Sequence, residues 1–90
     1  MLQRAILGGV NGVADLHLRD RDRVTREWRG TFVFHAEDEQ TIAQLSTAES
    51  PTYFEGFIGA ERRRVPVRVT SFTSTGLAFF EGSEAHSGPL

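Results

Sequence analysis

Residues 53–81 read YFEGFIGAERRRVPVRVTSFTSTGLAFFE and contain three alternating apolar segments separated by two turns. Apolar residues at every second position are typical of strands with one buried face. Val65, Val67 and Val69 form the clearest such row, and a glycine-containing turn stands on each side of it. The stretch therefore predicts a three-stranded antiparallel meander in the C-terminal part of the chain.

The rest of the chain adds further strands and one helical segment. Residues 1–7, 14–19 and 28–35 have the apolar or alternating pattern of strands, and Asn11-Gly12 is a strong hairpin-turn signal. A short helix is predicted near residues 38–46, because acidic residues begin this segment and favour a helix N-terminus. About six short strands with one helix predict an all-β fold, either a small barrel or a two-layer sheet.

Several predicted strands carry aromatic residues on both faces. Phe57, Phe72 and Phe80 are out of phase with the inward row predicted for their own strands. One barrel interior cannot hold both sets of side chains. Some of these rings are therefore expected under the helix, at a barrel corner or in a contact with another chain.

The length of 90 residues predicts one domain, residues 1–82, followed by an extended or mobile tail, residues 83–90. The chain has no cysteine, which excludes disulfides, thiolate zinc sites and a cysteine nucleophile. Its apolar runs are far shorter than a signal peptide or a membrane span requires. A place in the cytoplasm or in a soluble particle is therefore expected, with no membrane partner.

The charges are segregated along the sequence. Residues 19–29 hold five arginines and three carboxylates, residues 30–61 hold six carboxylates and no arginine, and residues 62–68 hold four arginines. All ten basic residues are arginine, whose planar guanidinium suits paired contacts with carboxylate or phosphate. The net charge of −2 argues against a general nucleic-acid binder.

No motif predicts catalysis, a metal or a cofactor. The glycine cluster GGVNG lacks the lysine and the serine or threonine of a phosphate-binding loop, and a strand follows it. The three histidines, His17, His35 and His86, lie far apart in the sequence, and no GxSxG nucleophile motif is present. The expectation is a protein that is not an enzyme.

Pro66 interrupts the alternating valine segment. Because proline cannot donate a ladder hydrogen bond, the strand at 64–72 is expected to be an edge there or to be bulged. Natural proteins protect strand edges with charge and proline. Four neighbouring arginines supply that charge: Arg62, Arg63, Arg64 and Arg68.

These features predict a non-catalytic protein-interaction or assembly subunit, for example a minor structural protein of a phage-like or other large homo-oligomeric particle. The expected contact is heterologous, so it builds rings or filaments. It joins the arginine-rich hairpin of one copy to an acidic surface of the next. The predicted interaction residues are Arg62, Arg63, Arg64, Pro66 and Arg68 on one side, and Glu37, Asp38 and Glu39 on the other.

The alternative prediction is a small barrel that binds nucleic acid or nucleotides. In that interpretation the same arginines contact phosphates, while Tyr53 and Phe72 provide aromatic surfaces for stacking. Exposure of both rings beside the arginines would favour this alternative. Burial of both rings, with acidic and basic surfaces on opposite sides, would favour assembly.

Overall fold

The computed structural model describes residues 2–20 and 25–85. A short 3-10 turn, Ala36–Asp38, leads into helix α1, Glu39–Thr47. The strands are β1 Leu2–Leu7, β2 Val10–Asp20, β3 Thr25–Val33, β4 Thr52–Ile58, β5 Glu61–Phe72 and β6 Leu77–Ala85. The all-β prediction and the single short helix are both confirmed.

The six strands form a closed antiparallel barrel in the order β1-β2-β3-β6-β5-β4. The predicted C-terminal meander corresponds to β4, β5 and β6, which pair in succession. Closure between β1 and β4 is short and joins Ile6 to Glu55 and Leu7 to Phe54. Of the two predicted architectures, the structure is therefore the barrel.

Large aromatic side chains fill the interior of the barrel. Phe54 and Phe80 stack with their ring centroids 4.9 Å apart and their planes 22° apart. The predicted inward valines of β5 are buried, as are Trp28 and Phe32. Helix α1 packs at one end of the barrel, where Ile42 is fully buried and Leu45 approaches Gly8 in the turn between β1 and β2.

Four inward-facing glycines make room for these rings. A Cβ atom on Gly30, for example, would lie 2.7 Å from the ring of Phe80 and 2.7 Å from the carbonyl oxygen of Asp15. A glycine inside a strand commonly marks such a close approach. The four glycine–ring pairs are Gly12 with Phe32, Gly30 with Phe80, Gly56 with Phe54 and Gly82 with Trp28.

The out-of-phase aromatic residues occupy three different environments. Phe80 is buried and Phe79 is exposed, so the predicted phase of β6 is wrong. Phe80 pairs with Gly30 of β3 across the ladder. Because Gly30 has no side chain, the Phe80 ring lies over it in the barrel interior. Phe72 packs against the core beside α1, whereas Phe57 lies on the outer surface.

The turns also differ in detail from the prediction. The first hairpin turns at Gly8-Gly9, whose φ angles are 57° and 87°, and Asn11-Gly12 lies within β2. Two consecutive positive φ angles suit a tight hairpin turn, and glycine adopts them without steric cost. Residues 83–85 of the expected tail belong to β6. Residues 86–90, with His86, and residues 21–24 of the RDRDR segment lie outside the described residues.

Candidate functional site

The first half of strand β5 does not pair with β6. The ladder between the two strands begins at the pair Arg68–Glu81, so residues 61–67 pair only with β4. Pro66 lies in this half, opposite Tyr53 of β4. The missing N–H group of Pro66 therefore falls where β5 has a single ladder neighbour, as expected for an edge. The ladder with β6 also contains the register shift typical of a bulge, but it lies further along, between Val69 and Ser71.

Side-chain contacts hold the β4–β5 hairpin on both flanks. On one flank, Gln3 Nε2 donates to the carbonyl oxygen of Phe57 at 2.9 Å, and the Phe57 N–H donates to Gln3 Oε1 at 2.6 Å. On the other flank, the Arg63 guanidinium donates to both carboxylate oxygens of Glu84, at 2.6 and 2.7 Å. The Glu84 carboxylate raises the pKa of Arg63 above its ordinary value. These contacts replace ladder hydrogen bonds at the hairpin tip.

Replacing Gln3 by alanine is expected to reduce the free energy of unfolding by about 1 kcal/mol, since two exposed hydrogen bonds to the main chain are lost. Urea unfolding measures the loss, and amide hydrogen exchange at Phe57 reports whether it is local. The matched control is Gln40→Ala on the exposed face of α1, expected to change stability by less than about 0.5 kcal/mol. Equal losses in the two variants would contradict a specific role for Gln3.

Two aromatic and two basic side chains project outward from β4 and β5. Tyr53 is 42% exposed and Phe57 is 49% exposed. The guanidinium carbon of Arg64 lies 4.2 Å from the centroid of the Tyr53 ring, in cation–π contact, and Arg62 is the cross-strand neighbour of Phe57. We call these four residues the arginine–aromatic face.

The predicted arginine cluster divides in the structure. Arg62 and Arg64 lie on the outer surface, whereas Arg63 projects from the opposite side of the strand to Glu84. All three belong to β5 and not to the turn, which is Gly59-Ala60. Arg63 therefore contributes to the fold, whereas Arg62 and Arg64 are exposed on the surface.

Arg68 lies in a different groove from the arginine–aromatic face. It is the cross-strand neighbour of Glu81 and lines a groove of about 400 Å³ on β2, β3, β5 and β6. Arg19 and Arg29 line the same groove together with Glu27, so its charges are mixed. Arg68 does not extend the arginine–aromatic face.

The acidic segment and Arg62 share a third groove. This β1–β2 groove, of about 620 Å³, runs over the outside of the first two strands. Glu37 and Asp38, which follow β3, line it beyond β2, and Arg4 on β1 and Arg62 on β5 line it on the other side in the strand order. The predicted acidic and basic groups are therefore neighbours across one groove and do not lie on opposite sides of the barrel.

The two rings predicted for stacking are separated. Tyr53 contacts Arg64, but Phe72 is half-buried at the far end of β5, in a cleft with Glu37, Glu39 and Ala43. The nucleic-acid alternative requires both rings to be exposed beside the arginines, and only Tyr53 is. Phe57, predicted only to be out of phase with the core, is the second exposed ring of the arginine–aromatic face.

The described part of the chain contains no group of three histidine, aspartate or glutamate side chains arranged to hold a metal ion. His17 lies near a carboxylate, with Nε2 3.5 Å from Asp15 Oδ2, but its side chain is 73% exposed. Among residues 2–20 and 25–85, no helix has the length and apolar content needed to cross a membrane.

The structure thus defines a small closed antiparallel barrel with an arginine–aromatic face on one hairpin. Comparisons with models of protein families, with curated proteins and with solved structures gave no match. Any functional assignment therefore rests on the geometry of the chain itself.

Proposed function

We propose that this protein is a non-catalytic assembly subunit that binds protein partners, including further copies of itself, through the arginine–aromatic face. The observation that supports this is the exposure of Tyr53 and Phe57 beside Arg62 and Arg64. Aromatic residues and arginine are enriched in the buried centres of protein interfaces and among the residues that dominate binding energy.

The barrel itself does not require these rings. Tyr53 and Phe57 project away from the core that Phe54 and Ile58 fill from the same strand. Leaving large apolar groups in water forgoes the stabilisation that burial supplies, so contiguous exposed groups mark interaction surfaces. A partner would bury the rings and place its own carboxylates against the two arginines.

Closure of the barrel constrains how a partner docks. All six strands have ladder neighbours on both sides over part of their length, so a partner strand could pair only with a short unpaired segment such as residues 61–67 of β5, where Pro66 lacks an N–H group. Recognition would depend on side chains. A minor structural subunit of a phage-like or other large particle, working in the cytoplasm or within that soluble particle, is the concrete form of the proposal.

Light-scattering mass on a sizing column tests the proposal. We expect the wild-type protein to form a species larger than 10.0 kDa at about 50 mM salt, and this species to weaken at about 500 mM salt, because salt screens exposed charge pairs. Loss of one of the few residues that dominate an interface costs about 2 kcal/mol or more, roughly 30-fold in affinity, and such residues are enriched in aromatic rings and arginine. Phe57→Ser and Arg64→Ser should each approach that loss.

Matched controls lie on other faces of the barrel. Phe79→Ser removes an exposed ring from β6, and Arg29→Ser removes an exposed arginine from β3. Both should change the association constant less than about threefold, a difference below 1 kcal/mol. A monomer under all conditions, or equal losses in controls and test variants, would exclude self-assembly through this face.

One observation favours nucleic-acid binding as a second candidate. The exposed Tyr53 ring and the Arg64 guanidinium lie in cation–π contact. Together they resemble the aromatic and cationic surfaces on which single-stranded bases stack. If the protein is monomeric, fluorescence anisotropy with a labelled single strand tests this function. Tyr53→Ala should then weaken binding by about 1–3 kcal/mol, and no binding by the wild type would exclude it.

A further inference from the structure

The β1–β2 groove carries opposite charges on its two banks. Arg4 and Arg62 form the basic bank, and Glu37 and Asp38 form the acidic bank. We propose that this groove is a two-fold contact between two copies of the chain, in which the Arg62 bank of each copy meets the Glu37–Asp38 bank of the other. The inference rests on the proposed function: it takes a second copy as the partner, adds this groove to Arg62 of the arginine–aromatic face, and specifies the symmetry.

Within residues 2–20 and 25–85, no ion pair neutralises the charges of the groove. None of the four bank residues forms an ion pair within 4.0 Å with another described residue. By contrast, Arg63, only one residue from Arg62, is fully paired with Glu84. In the part of the chain that the structure describes, the groove therefore presents two sets of charges of opposite sign without ion-pair partners, and a second copy supplies the complement of each.

The floor of the groove suits close contact between two sheets. Val13 is exposed on β2, and its neighbour Val33 on β3 is 51% exposed. Gly9, whose Cβ position has no neighbouring atom within 4 Å, adds no side chain to the groove. Phe57 lies beside Arg62 at the edge of the basic bank. Two copies facing each other would cover Val13 within the groove and Val33 next to it, and the charged banks would lie around this apolar part, as in many protein interfaces.

The position of the banks decides the symmetry. A two-fold contact requires a surface that is complementary to itself, so that residue i meets residue j and residue j meets residue i. Banks of opposite charge on either side of one groove satisfy this requirement. Charges on opposite sides of the barrel would instead have produced the open heterologous contact expected from the sequence.

Charge exchange tests the proposal directly. Arg62→Glu and Glu37→Arg each place like charges across the contact, and each should weaken dimerisation at least about tenfold. An equimolar mixture of the two variants restores both pairs in a two-fold dimer, so its association should return to within about threefold of the wild type. The restored species should have twice the 10.0 kDa chain mass. Fluorescence of the buried Trp28 confirms that each variant is folded.

Four outcomes are distinguishable. Recovery in the mixture at dimer mass supports the inference. No recovery, with Phe57→Ser and Arg64→Ser still disrupting association, overturns the groove contact and leaves the proposed function standing. Recovery at masses above the dimer overturns the two-fold symmetry. A wild-type monomer at every concentration and salt overturns both the groove contact and self-assembly.

Discussion

Replacing Trp28 by alanine is expected to lower the free energy of unfolding by about 3–5 kcal/mol, as large-to-small changes at buried aromatic positions do. Trp28 is 1% exposed and packs against Gly82, which has no side chain to occupy the space that the indole would leave. Small domains have total stabilities of only about 5–10 kcal/mol, so the variant should be largely unfolded under mild denaturing conditions. Urea unfolding followed by circular dichroism measures the loss.

The matched variant Trp28→Phe separates packing from hydrogen bonding. The indole N–H of Trp28 is buried and has no hydrogen-bond partner among the described residues. Phenylalanine retains an aromatic ring and removes this unsatisfied donor, which by itself stabilises the fold by about 1–3 kcal/mol. The net loss should therefore not exceed about 2 kcal/mol. A loss equal to that of Trp28→Ala would show that the N–H group is satisfied in solution.

Replacing Gly30 by alanine should cost about 2–3 kcal/mol, the upper part of the range for an overpacked core. In most strands the change would be favourable, because glycine weakens strand interiors. Here the added Cβ would meet the Asp15 carbonyl oxygen and the Phe80 ring, both at 2.7 Å. The carbonyl belongs to the paired main chain of β2, so it cannot move without disturbing that ladder.

Two further variants control the Gly30 result. Gly59→Asn changes a turn glycine whose φ is 66° and whose nearest neighbouring atom lies 4.0 Å from the position of its Cβ. Asparagine tolerates this conformation, so the free energy of unfolding should fall by only a few tenths of a kcal/mol, as it does for other surface changes.

Phe80→Leu added to Gly30→Ala relieves the ring contact, so the stability losses of the two single variants should be less than additive in the double variant. An unchanged or higher stability for Gly30→Ala alone would contradict the packing described for β3 and β6.

The strands and the helix were predictable because their signals are local. The row of Val65, Val67 and Val69 defines one buried face by itself, and the acidic start of α1 needs no tertiary information. Closure of the barrel was not predictable in the same way. The pairing of β1 with β4 joins residues far apart in the sequence, and it depends on the twist and tilt of the intervening strands.

The phase of β6 and the first turn show where local signals fail. LAFF places apolar residues on both faces, so a period of two cannot select Phe80 over Phe79. The selection comes from Gly30 on the neighbouring strand. In GGVNG, both the pair Gly8-Gly9 and the pair Asn11-Gly12 suit a turn, and Gly12 lies inside β2, where the Phe32 ring occupies its side-chain space.

The candidate site was predictable in part. Arg62, Arg64 and Tyr53 were identified from charge and aromatic content, and the structure brings Arg64 and Tyr53 into contact. The pairing of Arg63 with Glu84 could not be foreseen, since 21 residues separate them. The β1–β2 groove likewise arises from strand order, which places the acidic segment after β3 near an arginine of β5.

The four glycine–ring pairs have a consequence for how this barrel can vary through evolution. Because each ring occupies the space of a missing side chain, neither member of a pair can change freely alone. In related sequences, a larger residue at the position of Gly30 should accompany a smaller one at the position of Phe80, and correlated substitutions report spatial contact. The other three pairs should show the same correlated substitutions, while the exposed strand positions between them should vary independently of one another.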